Sequence, residues 1–319
     1  MKTKAAILVE PRRFEIREKE LEMQADEVLI KIQVCGLCNW ELNHFKGVLG
    51  EYPMSLGHEW AGIIVDKGSE VNSFQIGDRV AVLPDSLEGF AEFGVTKAKN
   101  CFLVEEGVDL KNVLLEPLKC VVTVLRAAAP EPGDYGVVVG CGPMGLWCIQ
   151  ALEDKTMAGV IAVDVDEKKL DLAKKFGASY VINGKKCDVK EKIKSITQGH
   201  MADFVIEGTG RTEMLEQAAG YLKTGRGRLV LMSYYDRKAE GFDFRLFSDL
   251  SLQLLNPHPS YSLNPLDDAR RAMALVNKGT FSQKDIITHK FGLEEIQKAF
   301  EIMENKPDNY VKGVIEMKW

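Results

Sequence analysis

What the chain does not contain narrows it first. It has no stretch of about eighteen consecutive apolar residues, the length that a membrane-spanning helix needs, so no membrane partner is expected. It has no run of Lys and Arg that stands apart. The 41 basic residues are spread among 47 acidic ones for a formal charge of −6, and the electrostatic footprint of nucleic-acid binding is missing. The apolar run Ala5–Val9 stops at Glu10-Pro11, too short for the core of a signal peptide. The cysteines are scattered and odd in number, 7 in all, which fits reduced thiols rather than a disulfide framework. A cytoplasmic protein is therefore expected. Internal repeats and low-complexity tracts are absent as well.

What is present is a chain of 319 residues, room for two ordinary domains, with 45% hydrophobic and 28% charged residues, the balance of a globular protein. Its first part alternates short β-rich runs with Gly and Asp turns: Glu27–Val34, Ala61–Val65, Asp78–Pro84 and Glu92–Thr96. Strands this short and closely spaced predict a small barrel. From Tyr135 the character changes to strand, helix, strand, with Gly136–Val139, Leu146–Leu152 and Val160–Val163. A helix over Lys168–Phe176, stopped by Gly177, and further strands at Tyr180–Ile182, Asp203–Ile206 and Arg228–Met232 continue the alternation. That order implies a parallel sheet with right-handed crossovers. Asn256-Pro257-His258-Pro259 breaks any regular element. Two amphipathic helices follow at Leu266–Asn277 and Leu293–Met303, the second apolar at 293, 296, 299, 300 and 303, and a last strand, Val311–Met317, is expected to rejoin the first domain. The expected boundaries are 1–119 with 256–319 for one domain and 120–255 for the other.

Two groups of residues carry chemistry. Gly140-Cys141-Gly142-Pro143-Met144-Gly145 follows a strand and opens a helix, and Asp164 closes the next strand nineteen residues past Gly145. In that context the glycines permit a tight turn and close backbone approach to a pyrophosphate, Pro143 and Met144 open the helix whose N-terminus faces it, and Asp164 reaches the adenosine ribose hydroxyls. A flavin or a nucleoside could use the same cradle; a nicotinamide dinucleotide is the expected occupant. The second group is Cys38, His58-Glu59 and Glu116. These are the thiolate, imidazole and carboxylate donors that hold a catalytic zinc while leaving one position open. Cys35 and Cys38 form a C-x-x-C, which half of a structural zinc site or a redox pair would also show. A second cysteine pair and a thioredoxin-like βαβ pattern are both lacking, which leaves Cys38 as a single ligand for distant partners.

Cys35-Gly-Leu-Cys38, Leu56-Gly-His-Glu59 with Ala61-Gly62, Gly77-Asp-Arg-Val80, Glu116-Pro-Leu118 and the glycine run stand in an order that resembles the zinc-dependent medium-chain dehydrogenases. Within that family the chain is similar to the polyol dehydrogenases of the sorbitol dehydrogenase type. The resemblance spans essentially the whole length. It implies an α/β fold with a GroES-like β-barrel catalytic domain, completed by the C-terminal segment, and a doubly wound parallel-sheet (Rossmann) dinucleotide-binding domain. It further implies that Cys38, His58 and Glu59 are zinc ligands and that Glu116 coordinates directly or through the zinc water. Glu41 falls where the family usually has Asp, an acceptor that orients the ligand imidazole. Lys312 falls where a basic residue often lies near the cofactor phosphates, and Lys169, close to Asp164 in sequence, is a further cofactor contact.

Two departures from the family pattern carry consequences. No cysteine follows Gly77-Asp-Arg-Val80 where a structural-zinc lobe would stand, since Pro84–Glu92 passes straight through, so one metal is expected rather than two. Trp40 stands where Ser or Thr usually begins the proton relay, and an indole cannot accept and pass on that proton. The relay is then expected to start from the zinc water, Glu116, Glu41 or His44, with Trp40 lining the substrate pocket. The reaction implied is hydride transfer between NAD, in preference to NADP, and a secondary alcohol or ketone: a polyol, sugar or cyclitol. A carbonyl reductase, a threonine-type amino-alcohol dehydrogenase and a degenerate nucleotide-binding redox sensor are the alternatives. A homodimer or homotetramer is expected, with the dinucleotide sheets pairing through an open edge at Arg228–Met232 or its successor.

Overall fold

The computed structural model describes residues 1–153, 156–235, 238, 242–307 and 309–319, and divides the chain into two compact units: 1–118 with 269–319, and 119–268. The first unit opens with β1 (Lys2–Glu10), β2 (Arg13–Glu20), β3 (Glu27–Gly36), the short helix α1 (Asn39–Phe45), β4 (Met54–Ser55), β5 (Trp60–Lys67), β6 (Arg79–Val82), β7 (Phe93–Lys97) and β8 (Cys101–Leu103). Helix α2 (Leu115–Ala128) follows.

Strand β3 is the spine of this unit. Residues 28–35 of it pair with β5, while the opposite edge pairs with β7 over residues 27–31. Alternation explains why it can do so: Val28, Ile30, Ile32 and Val34 are fully buried, whereas Lys31 and Gln33 are half-buried. The segment 84–92 that lacks cysteine is held by backbone bonds from Gly89 to Gly57, from Phe90 to Leu56 and from Glu92 to Lys4.

The second unit contains β9 (Tyr135–Val139), α3 (Pro143–Glu153), β10 (Gly159–Asp164), α4 (Glu167–Lys175), β11 (Tyr180–Asn183), α5 (Val189–Ile196), β12 (Phe204–Glu207), α6 (Met214–Ala219), β13 (Arg228–Leu231), α7 (Arg245–Leu250) and β14 (Gln253–Leu255). Its six strands run in the order β11-β10-β9-β12-β13-β14, all parallel. The apolar runs Val137–Val139 and Val160–Val163 are buried on both faces, as a helix-covered parallel sheet requires. The order reverses direction between β9 and β10 on one side and β12 on the other, the switch point where such sheets bind ligands beyond their carboxyl ends. Strand β13 is not an edge as one of the two expected candidates required, because β14 pairs with it over Arg228–Val230; among the described residues β14 is the edge on that side and β11 on the other.

Helix α8 (Pro265–Lys278), β15 (Ile287–Phe291), α9 (Ile296–Asn305) and β16 (Lys312–Glu316) complete the chain. Strand β16 pairs with β3 at residues 34–36, so the C-terminal segment does join the first sheet. All five apolar positions predicted for the last helix are buried, and Phe300 packs on Phe14, Phe45 and Phe90 with ring centroids 5.0 to 5.8 Å apart. The compact units divide at Ala269, thirteen residues past the expected return at 256. Residues before it stay with the second unit because buried Asp268 accepts hydrogen bonds from Thr123 and Ser262 and pairs with Arg126.

Candidate active site

In the first unit the donor side chains come from three places in the chain: the N-cap of α1, the loop at His58-Glu59 and the first turn of α2. Cys38 is the N-cap of α1, and Glu41, at the third helical position, reaches back so that its Oε2 accepts the Cys38 N–H at 3.2 Å. The other oxygen of Glu41 accepts the Gly57 N–H at 2.7 Å and lies 2.9 Å from Nδ1 of His58. One fully buried carboxylate thus fixes both the loop that carries the thiol and the loop that carries the imidazole. Gly57 has φ +104, and a Cβ there would lie 2.5 Å from the Phe90 backbone nitrogen, so this turn into His58 demands glycine.

With Nδ1 engaged by Glu41, the Nε2 atom of His58 points toward the remaining donors, and Oε2 of Glu116, in the first turn of α2, lies 3.8 Å from it. Among the described residues, Cys38, His58 and Glu59 offer ligand atoms that all lie within 4.8 Å of one another. A thiolate, an imidazole and a carboxylate converging so closely match the donors of a catalytic zinc, and the Glu41 acceptor behind His58 is the partner that such a ligand uses to fix its tautomer. Burial disfavours charge on His58, but the Glu41 charge and hydrogen bonds to Cys38 and Glu41 outweigh it and lift its pKa well above the ordinary value. A metal bound there would displace a proton.

Lys312, expected near the cofactor phosphates, is buried on β16, with Nζ 2.9 and 2.6 Å from the two Glu59 oxygens. Burial alone would strip its proton, yet the Glu59 and Cys38 charges hold its pKa above the usual lysine value. Breaking such a buried pair leaves an uncompensated charge, a loss of about 3–5 kcal/mol. Cys35, the other half of the C-x-x-C, is fully buried, and desolvation raises its thiol pKa well above the ordinary range, so it belongs to the core.

Trp40 leaves 43% of its surface exposed on the first turn of α1, its ring edge-on to His58 at 5.6 Å and to His44 at 4.2 Å. His44 is buried beneath it.

The second unit holds the glycine turn between β9 and α3. Gly140 has φ +94, and a Cβ on Gly145 would drive into the Gly140 carbonyl oxygen; a Cβ on Gly142 would meet nothing within 4 Å. The turn is therefore closed on its own backbone and open at its middle glycine, a cradle that fits a pyrophosphate. Pro143 and Met144 are the first residues of α3. Asp164 ends β10 and ties the turn down: Oδ2 accepts the Cys141 N–H at 2.7 Å, and Oδ1 accepts those of Val165 and Asp166 at 2.7 and 3.0 Å. Lys169 is near enough that its charge acts on the buried Cys141 thiol.

Comparison with known proteins agrees with both halves. Residues 24–107 match the alcohol dehydrogenase GroES-like domain and residues 143–257 the zinc-binding dehydrogenase family. The chain is 27% identical to a probable D-xylulose reductase A of Arthroderma otae (91% of this chain, 90% of that one). It is 26% identical to the sorbitol dehydrogenase of Bacillus subtilis (93% and 92%). An Escherichia coli oxidoreductase/dehydrogenase of unknown specificity superposes with a TM-score of 0.92 at 25% identity over 100% of both chains.

Fold and donor set together define an oxidoreductase of the alcohol dehydrogenase type. The chain belongs to the zinc-dependent medium-chain dehydrogenase/reductase family, and within it is similar to the polyol dehydrogenases.

Proposed function

We propose that this protein is a zinc- and NAD-dependent dehydrogenase that interconverts a secondary alcohol and a ketone on a polyol, sugar or cyclitol. The observation that carries this reading is the convergence of Cys38, His58 and Glu59 in front of the Glu41 acceptor. Zinc bound to these residues would supply a Lewis acid for the alcohol oxygen, and NAD would accept the hydride.

The chain's own residues do the rest. Glu41 holds the His58 tautomer that presents Nε2 as a ligand. Lys312 balances the Glu59 charge, so that one of the two anionic donors is already compensated within the chain. Of the side chains expected to start the proton relay, Glu41 is fully buried and His44 is buried beneath Trp40. Glu116, partly exposed beside His58, is the side chain proposed to take the proton.

The half-exposed indole of Trp40 offers a flat apolar surface to the C–H face of a polyol or ring sugar. Asp164 accepts ribose hydroxyls and repels the 2′-phosphate of NADP, with Lys169 nearby to soften the repulsion, so NAD is the preferred cofactor. One metal per chain is proposed. The open β14 edge, where Leu254 is exposed, is proposed to pair with its copy in a dimer. Among the described residues no helix is long and apolar enough to cross a membrane, and a reducing cytoplasmic setting accords with seven free cysteines.

The test is NAD reduction by a panel of polyols, sugars, inositols and simple secondary alcohols, with metal content measured on the same sample. Turnover of a polyol that disappears with the zinc supports the reading. Full activity in metal-free protein overturns it.

A further inference from the structure

The cofactor half that the glycine turn does not bind is marked by a buried carboxylate. All strands of the second unit are parallel, so their carboxyl ends share one rim. Asp164 at the end of β10 sets the adenosine side and the turn after β9 sets the pyrophosphate. In the order β10-β9-β12-β13 the nicotinamide half must then lie over the ends of β12 and β13. Glu207 is the last residue of β12 and is fully buried. Its Oε1 accepts the Thr209 N–H at 2.9 Å and the Thr209 hydroxyl, and its Oε2 accepts the phenol of Tyr235. Desolvation, and then the Glu207 hydrogen bond and charge, raise the Tyr235 pKa, so the phenol keeps the proton it donates.

A carboxylate taken out of water is costly unless its lone pairs are satisfied, and here the donors come from two different loops. Those loops also touch. A Cβ on Gly210 would lie 3.2 Å from the Tyr234 carbonyl oxygen, and one on Gly140 would lie 3.2 Å from both the backbone nitrogen and Cγ2 of Thr209. Contact thus runs from the pyrophosphate turn through Thr209 and Glu207 to Tyr235.

We propose that Glu207 and Tyr235 form a latch that pins the segment 232–235 to the turn 208–210 and so positions the wall of the nicotinamide half of the dinucleotide site. Both are positioning residues. The inference rests on the dinucleotide reading of the second unit and goes beyond it by assigning the half that the glycine motif leaves undefined.

The test compares two ligands that differ only by the nicotinamide, NADH and ADP-ribose, titrated against the full-length protein and its Tyr235→Phe and Glu207→Gln variants. Losing a hydrogen bond to a charged partner should weaken NADH binding to Tyr235→Phe about tenfold. ADP-ribose should bind as it does to the wild type. Glu207→Gln, whose single amide oxygen can accept from Tyr235 or from Thr209 but not from both, should show a loss of NADH affinity at least as large. Equal weakening of both ligands, or no change in either, overturns the latch. Hydrogen exchange on the wild-type protein decides the matter even if the variants do not fold: NADH should slow exchange at 232–235 more than ADP-ribose does, and equal protection overturns the proposal. A wild-type protein that binds neither ligand refutes the dinucleotide reading itself, and the latch with it.

Discussion

The metal-donor cluster is assembled from side chains that meet across most of the chain, from Cys38 through His58, Glu59 and Glu116 to Lys312, whereas the dinucleotide cradle is built from the backbone of a single turn, Val139 to Leu146. The two therefore fail differently. In the first unit every donor is specific and its support is one carboxylate, Glu41, holding two loops at once. In the second, side chains matter mainly where they would intrude: Gly145 has no room for a Cβ, while the position of Gly142 is open. A site made of side chains is sensitive to chemistry, and one made of backbone is sensitive to volume.

Substitutions that exploit this contrast should separate the two units' roles. The largest effect is expected from Gly145→Ala. The added methyl displaces the Gly140 carbonyl, and a shift of about 1 Å at a binding backbone is worth on the order of a hundredfold. NADH titration should show that loss while zinc content stays at the wild-type level; unchanged NADH binding would contradict the cradle. Next is Glu41→Gln, which keeps the volume but removes the charge behind His58. Losing such a ligand-orienting partner should lower metal affinity or turnover by roughly 10- to 100-fold, with NADH binding intact. Competition with a chelator would read the affinity directly, and wild-type metal retention would show that Glu41 is not the support proposed.

Smaller effects test specificity. Asp164→Ser removes the acceptor for the ribose hydroxyls and the repulsion of the 2′-phosphate, and should shift the NAD-over-NADP preference in kcat/KM by about tenfold, the worth of one charge-assisted hydrogen bond. An unchanged ratio would assign the preference elsewhere. The smallest is Trp40→Ala. An aromatic contact contributes about 0.5–1.5 kcal/mol, so KM for a polyol or cyclic sugar should rise about three- to tenfold while KM for 2-propanol barely moves. Equal changes for both substrates would reduce Trp40 to a packing residue.

The same contrast explains what could be read from the residues before the structure. The cradle is contiguous, so the turn through Gly140, Gly142 and Gly145 and the strand ending at Asp164 were legible, because strand, turn and helix follow one another directly. The long strands and the last helix were legible for the same reason, since their alternation and 3.6-residue periods are local. The donors of the first unit were legible only as residue types in a suggestive order. The Lys312–Glu59 pair was not legible, because it depends on β16 pairing with β3, which no local pattern encodes. The return at Ala269 was placed too early because a proline-rich break looks like a boundary, whereas the tie that holds the preceding segment is Asp268 bonding back to Thr123 and Arg126. Glu207 did leave a trace that went unused, a single charge ending the apolar strand Phe204–Ile206 just before Gly208-Thr209-Gly210.

The central claim is that Cys38, His58 and Glu59 hold one catalytic zinc independently of the dinucleotide cradle. Zinc content per chain and NADH affinity, measured together on wild-type protein and on His58→Ala, test it most directly. The account predicts about one zinc per chain in the wild type, none in the variant, and the same NADH dissociation constant in both. Zinc retained in His58→Ala, or NADH binding lost with the metal, would contradict it.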